Sequence, residues 1–276
     1  MIEELWSDAD AERIPRFLAP LERGQIVRPL IVIEGGGPAQ IAETEALLDS
    51  WAKRLAPRLV PGDAAKNAHE LATFLGNELG FRGDEDDYYS VSNVLLSKVL
   101  KRRRGLPILL AVIWMEVGAR AGVPVAGIGM PGHFIARVGG PNGVYVDPFT
   151  GGRRLSVDEC RQIVERLSDS NVTWSDDFLA QSTPDQILER VLQNLFGGYS
   201  RVGDTAGQYR TATFLSALRP DSAERLFQRA QSAEATGAFE LARSLYNEVL
   251  ERFPEASEAE QAGEALMKDN EEPTVN

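Results

Sequence analysis

The chain has 276 residues, 43% of them hydrophobic and 25% charged, with a formal net charge of -12, a composition that suits a soluble globular protein able to bury a sizeable core. That negative charge opposes binding to nucleic acid or to an anionic membrane. One cysteine, Cys160, excludes an intrachain disulfide and a cysteine-rich zinc site, and "MIEELWSDADAER" lacks a basic, then apolar leader, so the expectation is a cytoplasmic protein with no membrane segment.

In chain order, periodic apolar positions in "AQIAETEALLDSWAKRLAPRL" and "AAKNAHELATFLGNELG", separated by "VPGD", predict a helical cover over the first hundred residues. "RRRGLPILLAVIWMEVGARAGVP" follows, with Pro107 suited to a first helical turn and apolar residues on nearly every face, which predicts a central buried helix. The period then changes to two. "PVAGIG", "HFIARV" and "GVYVDPF" read as short strands, the last two joined by "GGPNG" as a hairpin, and "SVDECRQIVERL" reads as a helix after them. The fold class is therefore α+β.

From about residue 183 the pattern is helical again. Gly203 and Gly237 lie 34 residues apart, as do Pro220 and Pro254, which is the tetratricopeptide period; "AEATGAFELARSLYNEVLERFP" is the better copy. Two copies are fewer than a free-standing solenoid needs, so they are expected to pack on what precedes them. The expected organisation is a domain over 1–180, a tetratricopeptide-like helical module over 181–265 and a disordered tail over 266–276.

"AGIGMPGHFIARVGG" contains Gly127, Gly129 and Gly132 in the spacing Gly-x-Gly-x-x-Gly, with Asp147 twenty positions after the first. A dinucleotide fingerprint must open a helix, whose amides meet the pyrophosphate, yet "HFIARV" is a strand pattern. The glycines are better assigned to a bend and close packing. His133 is then the informative residue. If "GGPNG" pairs Val138 with Val144, then Ala136 faces Val146 and Ile135 faces Asp147. His133 and Asp147 become diagonal neighbours on one face, roughly 7–8 Å apart at Cα. A one-residue slip would destroy this arrangement. The carboxylate could fix the imidazole for general-base work; equally, His133 could make a structural hydrogen bond at the strand end and Asp147 could start a turn.

"RRRGLPILLAVIWMEVGARAGVPVAGIGMPGHFIARV" with "VYVDPFTGG" resembles the SirB1 family of bacterial proteins, a branch of the transglutaminase-like superfamily. The likeness extends to "LGFRGDEDDYYSVSNVLLSKVL" and to the family's C-terminal tetratricopeptide-like helices. It implies a transglutaminase-like, papain-like domain with a helical N-terminal cover and a short antiparallel sheet, followed by the all-α module. Active members carry a Cys-His-Asp triad whose cysteine opens the buried helix, where the dipole favours thiolate. By this resemblance His133 and Asp147 are the second and third members, and the cysteine position falls on Pro107, which has no nucleophile. Cys160 follows Asp147 in the chain, on a predicted helix, and cannot easily substitute.

Other candidates divide between bland and functional readings. The run Lys101 to Arg104 is either a solvated helix end or, through Arg103 and Arg104, a site for an anionic peptide, carboxylate or phosphate. Tyr88, Tyr89 and Asn93 could line the same cleft with Gly132, while Tyr89 and Asn93 could instead pack on one helix face. Ser90, Ser92 and Ser97 suit turns and caps, and His69 has no metal-ligand pattern beside it. No metal and no cofactor is implied. The expected function is non-catalytic binding of a protein or peptide partner by the cleft and the C-terminal helices, with no nucleic acid or membrane partner. The alternatives are a hydrolase or acyl transferase using His133 as general base, and a scaffold in which the pair is structural.

Overall fold

A computed structural model describes residues 12–167 and 172–271, and the chain divides into two compact units, one of residues 19–191 and one joining helix α1 (Arg13–Leu18) to the residues from Leu192 onward. In the first unit, helices α2 (Val27–Ile33), α3 (Pro38–Leu55), α4 (Ala64–Leu71) and α5 (Leu96–Arg102) form the expected N-terminal cover. Pro38 sits in the first turn of α3, where its missing N–H costs nothing. The Asp63 carboxylate accepts from Lys66 N at 2.9 Å and caps α4. α4 continues into a π-helical turn, Ala72–Glu78.

Helix α6 (Pro107–Arg120) also opens on a proline, and every residue from Pro107 to Trp114 is buried. Its uniformly apolar surface is what a helix needs when it has protein on all sides. It packs against α3 and against strands β3 (Val125–Met130) and β4 (His133–Val138); a separate two-stranded parallel pair, β1 (Arg82–Gly83) and β2 (Arg104–Gly105), precedes these in the chain. β3 and β4 join β5 (Val144–Asp147) and β6 (Arg153–Leu155) in one antiparallel sheet in sequential order. β6 is absent from the sequence-based reading, because three residues carry too little alternation to signal a strand. Helix α7 (Val157–Leu167) covers the face that presents Ala126, Ile128, Met130 and Ile135, burying Cys160, Ile163 and Val164 there.

The other unit is helical. The boundary falls inside α8 (Pro184–Val202), after which come α9 (Thr205–Leu218), α10 (Ala223–Ala235), α11 (Phe239–Arg252) and α12 (Ser257–Glu271). α9 and α11 begin 34 residues apart, and so do α10 and α12. Leu226, Ala230, Leu245 and Val249 share one apolar cluster, and the Tyr246 hydroxyl donates to Glu234 at 2.6 Å. Residues 266 to 271, expected to belong to a disordered tail, are the end of α12; the remainder of that stretch lies outside the described residues. No helix among the described residues is long and apolar enough to cross a membrane.

Candidate functional site

The hairpin register is the one that "GGPNG" implies: Val138 pairs with Val144 and Ala136 with Val146. Asp147 therefore ends β5 beside the first residues of β4, and its Oδ2 lies 3.2 Å from His133 Nε2. Both residues are more than nine-tenths buried, at 7% and 3% exposure. The distance is that of an ion pair, but the ring N–H is not aimed along it, so Nε2 makes no aligned hydrogen bond among the described residues. The other carboxylate oxygen, Oδ1, accepts from Phe149 N at 2.9 Å and caps a short 3₁₀ turn, Pro148–Thr150. Asp147 thus caps the turn through one oxygen, while the other lies within ion-pair distance of the imidazole.

Gly132 makes the approach to His133 possible. It takes φ 72 in the turn between β3 and β4, and a Cβ there would lie 2.7 Å from the Leu167 carbonyl oxygen. With a strand rather than a helix after it, the glycine triplet makes no phosphate cradle. Arg190, on α8, holds the same turn from the far side, donating from Nη1 to Met130 O and from Nη2 to His133 O, each at 2.9 Å. Its guanidinium stands 5.6 Å over the Phe134 ring. Burial pushes its pKa down, the nearby Tyr88 hydroxyl opposes that shift, and no carboxylate pairs with it among the described residues. Nothing in "PDQILERVL" marks Arg190, since its partners are backbone carbonyls of distant residues.

His133 and Asp147 line a cavity of about 570 Å³. Tyr88, Tyr89 and Phe149 form one wall through near-perpendicular ring contacts, with Tyr88 to Tyr89 at 5.2 Å, Tyr88 to Phe149 at 5.9 Å and Phe149 to His133 at 6.0 Å. Ile163, Arg166 and Leu167 line it from α7, at the i, i+3, i+4 spacing that presents one helix face. Glu85, Thr150 and Arg153 complete the charged and hydroxyl lining. The α7 spacing was visible in "IVERL", but which face of that helix meets the site depends on its docking.

Of the sequence-derived site residues, Tyr88, Tyr89, Gly132, His133 and Asp147 come together on this cavity. Asn93, Arg103, Arg104 and Pro107 are not among its lining residues, and their contacts say why. Asn93 is fully buried; it donates to Asp87 O at 2.7 Å and accepts from Arg102 Nη1 at 2.9 Å, fixing the loop that carries the two tyrosines. Arg103 closes α5 with φ 59 and stacks its guanidinium on Trp51 at 4.5 Å and Phe81 at 4.6 Å, where burial pushes its pKa down. Arg104 donates to the carbonyls of Gly80 and Arg103. In this basic run Arg103 packs on aromatic rings, Arg104 bonds to backbone carbonyls and Arg102 pairs with Asp84 at 2.7 Å, so the structure does not bring Arg103 and Arg104 to the cavity. Ser90, Ser92 and Ser97 do not line the cavity either.

Cys160 is fully buried among Ile128, Ile135 and Leu155. Burial, with Glu159 and Asp147 adding to it, pushes the thiol up to about 11. Since only the thiolate is nucleophilic, alkylation by iodoacetamide at pH 8 is expected to run roughly 100-fold slower in the folded protein than in guanidinium chloride. Rapid labelling of the folded protein would contradict this placement. Thr150, the one aliphatic hydroxyl on the lining, already donates to Asp147 O at 3.1 Å. No group of three or more possible metal ligands occurs among the described residues.

Comparison with known proteins places these features in context. The transglutaminase-like superfamily matches residues 42–193. A UPF0162 protein of Xylella fastidiosa (strain 9a5c) is 36% identical over 186 residues, 66% of this chain and 66% of that protein. The UPF0162 protein PA3419 of Pseudomonas aeruginosa is 34% identical over 145 residues, 52% of this chain and 53% of the relative. F-box only protein 21 of Mus musculus is 33% identical over 99 residues, 33% of this chain but 16% of that protein. The matched stretch thus spans less than two thirds of each relative's length. No solved structure matches.

Proposed function

The chain belongs to the transglutaminase-like superfamily, and from that premise we propose that it is a non-catalytic member, which binds a protein or peptide in the cavity beside His133 and Asp147. What carries this reading is an open, ring-lined cavity that holds an imidazole and a carboxylate but no thiol. The position that the SirB1 resemblance gives to the nucleophile is Pro107, and the sole cysteine is sealed in the core. A cavity of this size that joins aromatic walls to charged and hydroxyl groups suits a ligand with both apolar and polar side chains. The 34-residue recurrence of the helix starts supports reading the C-terminal helices as tetratricopeptide-like, offering a second surface to the same partner.

The His133–Asp147 contact supports one competing reading, a hydrolase or acyl transferase in which the imidazole activates water or a substrate hydroxyl. One pair of assays separates the two. Under the binding reading, purified protein turns over acyl esters and peptide amides no faster than its His133→Ala variant. It also enriches sequences from a random peptide library, and these bind Tyr88→Ala at least tenfold more weakly. Turnover that disappears with His133 would replace binding with catalysis, and enriched peptides indifferent to Tyr88 would move the binding site elsewhere.

A further inference from the structure

The strand that leads into the His133 turn lies at the edge of its sheet, and the chain before α8 occupies that edge. Ser182 N donates to Gly127 O at 2.9 Å, Gly129 N donates to the Ser182 hydroxyl at 3.1 Å, and Gln181 bridges to Ile128. Arg190 completes the series where β3 ends. Met130 and His133 are paired across the turn, and the guanidinium donates to the carbonyl of each at 2.9 Å.

Stability does not explain this arginine. The first turns of α8 are seated by Ile187, Leu188 and Val191, all fully buried, so this part of the helix keeps its place without Arg190. The guanidinium is partly buried; burial pushes its pKa down, and no carboxylate meets it among the described residues. A cation placed in this way costs desolvation that two carbonyl bonds offset only in part, whereas a methionine could lie over the Phe134 ring without that cost. What the fork supplies instead is direction. Two donors of one rigid plane on two carbonyls fix the turn in both position and rotation, which a single contact does not.

The consequence falls on the imidazole. Its Nε2 lies 3.2 Å from Asp147 Oδ2 without an aligned hydrogen bond, so that contact alone does little to hold the ring. Between the two clamped residues stands Gly132 at φ 72, the residue type with the most backbone freedom. The ring therefore depends on its backbone being held from outside the turn.

Building on the proposed peptide-binding role of this cavity, we infer that Arg190 is its positioning residue: by holding the carbonyls of Met130 and His133 it sets the imidazole against Asp147, and through the imidazole it sets how tightly a peptide binds.

The test uses the full chain with Arg190→Met, Arg190→Lys, His133→Ala and the double variant Arg190→Met, His133→Ala. Imidazole ¹⁵N shifts need no ligand, and the protein has two histidines to assign, His69 and His133. Beside the carboxylate the neutral His133 ring carries its proton on Nε2; Arg190→Met should move it toward a mixture of tautomers while the urea midpoint stays in place. Peptides enriched from the random library should bind Arg190→Met about tenfold more weakly, the scale of one charge-assisted hydrogen bond. The double variant should bind them no more weakly than His133→Ala alone, since both changes act through one ring. Arg190→Lys, which keeps the charge without the fork, should resemble Arg190→Met.

An unchanged His133 tautomer or undiminished peptide binding in Arg190→Met would overturn the inference. So would a fall in the urea midpoint that accounts for the lost affinity, losses that multiply in the double variant, or full recovery with Arg190→Lys. If the library yields no peptide for the wild-type protein, the peptide-binding reading fails by itself, and the tautomer measurement still decides whether Arg190 places the ring.

Discussion

Replacing Gly76 by alanine is expected to destabilise the unit of residues 19–191 by about 3 kcal/mol, the upper part of the range for forcing extra atoms into a packed interior. A Cβ at this position would lie 2.1 Å from the Gly151 carbonyl oxygen and 2.9 Å from its carbon, both backbone atoms that cannot rotate away. The turn containing Gly151 has little room to retreat, because a Cβ on the adjacent Gly152 would already be 2.4 Å from the Trp114 ring of α6. Gly152 N also donates to Asp147 O at 2.8 Å, so displacement of this turn reaches the carboxylate beside His133. Urea unfolding followed by fluorescence of the buried Trp51 and Trp114 gives the stability change, and the His133 resonances report the site. A loss below about 0.5 kcal/mol, the scale of a neutral surface change, would show that the π-helical turn adapts freely.

This close approach accounts for part of the sequence that periodicity leaves opaque. In "VYVDPFTGG", alternation explains the strand, Asp147 explains the turn, and Gly151 closes that turn in the left-handed region at φ 76. Gly152 has a further, distant reason, since a Cβ there would meet the ring of Trp114, more than thirty residues upstream. By contrast, the pairing of His133 with Asp147 was legible from the residues alone. A short hairpin loop fixes register, register fixes which side chains share a face, and each step is local.

The charged groups behave in the opposite way. Arg103 stood out in the sequence because its neighbours are basic, yet its environment is set by Trp51 and Phe81, which arrive from other elements and cover it. Arg166 did not stand out, being one of several charges on an amphipathic helix, and it reaches the cavity only because the other face of α7 buries Cys160 and Val164. Asn93 was read as a pocket residue and instead holds the loop that presents Tyr88 and Tyr89. A polar side chain's role follows from the partner that tertiary packing brings to it, and a single sequence contains the two partners without their meeting.

The separation of structural from chemical roles at Asp147 can be made with two substitutions. Asp147→Ala is expected to cost about 3 kcal/mol, combining the loss of a cap with a half-buried Phe149 N–H left unsatisfied. Asp147→Asn keeps an oxygen for that N–H and should recover most of the loss. Its amide nitrogen, however, is a donor where the carboxylate was an acceptor. Beside the carboxylate the imidazole favours the tautomer with its proton on Nε2; beside the amide, Nε2 must accept, and the proton moves to Nδ1. Imidazole ¹⁵N shifts therefore distinguish the variants where unfolding curves do not. If Asp147→Asn restores stability and leaves the His133 tautomer unchanged, the carboxylate acts on the turn alone. If stability returns while the tautomer switches, Asp147 controls which ring nitrogen can receive a proton, and the cavity holds an imidazole whose protonation is set by that carboxylate.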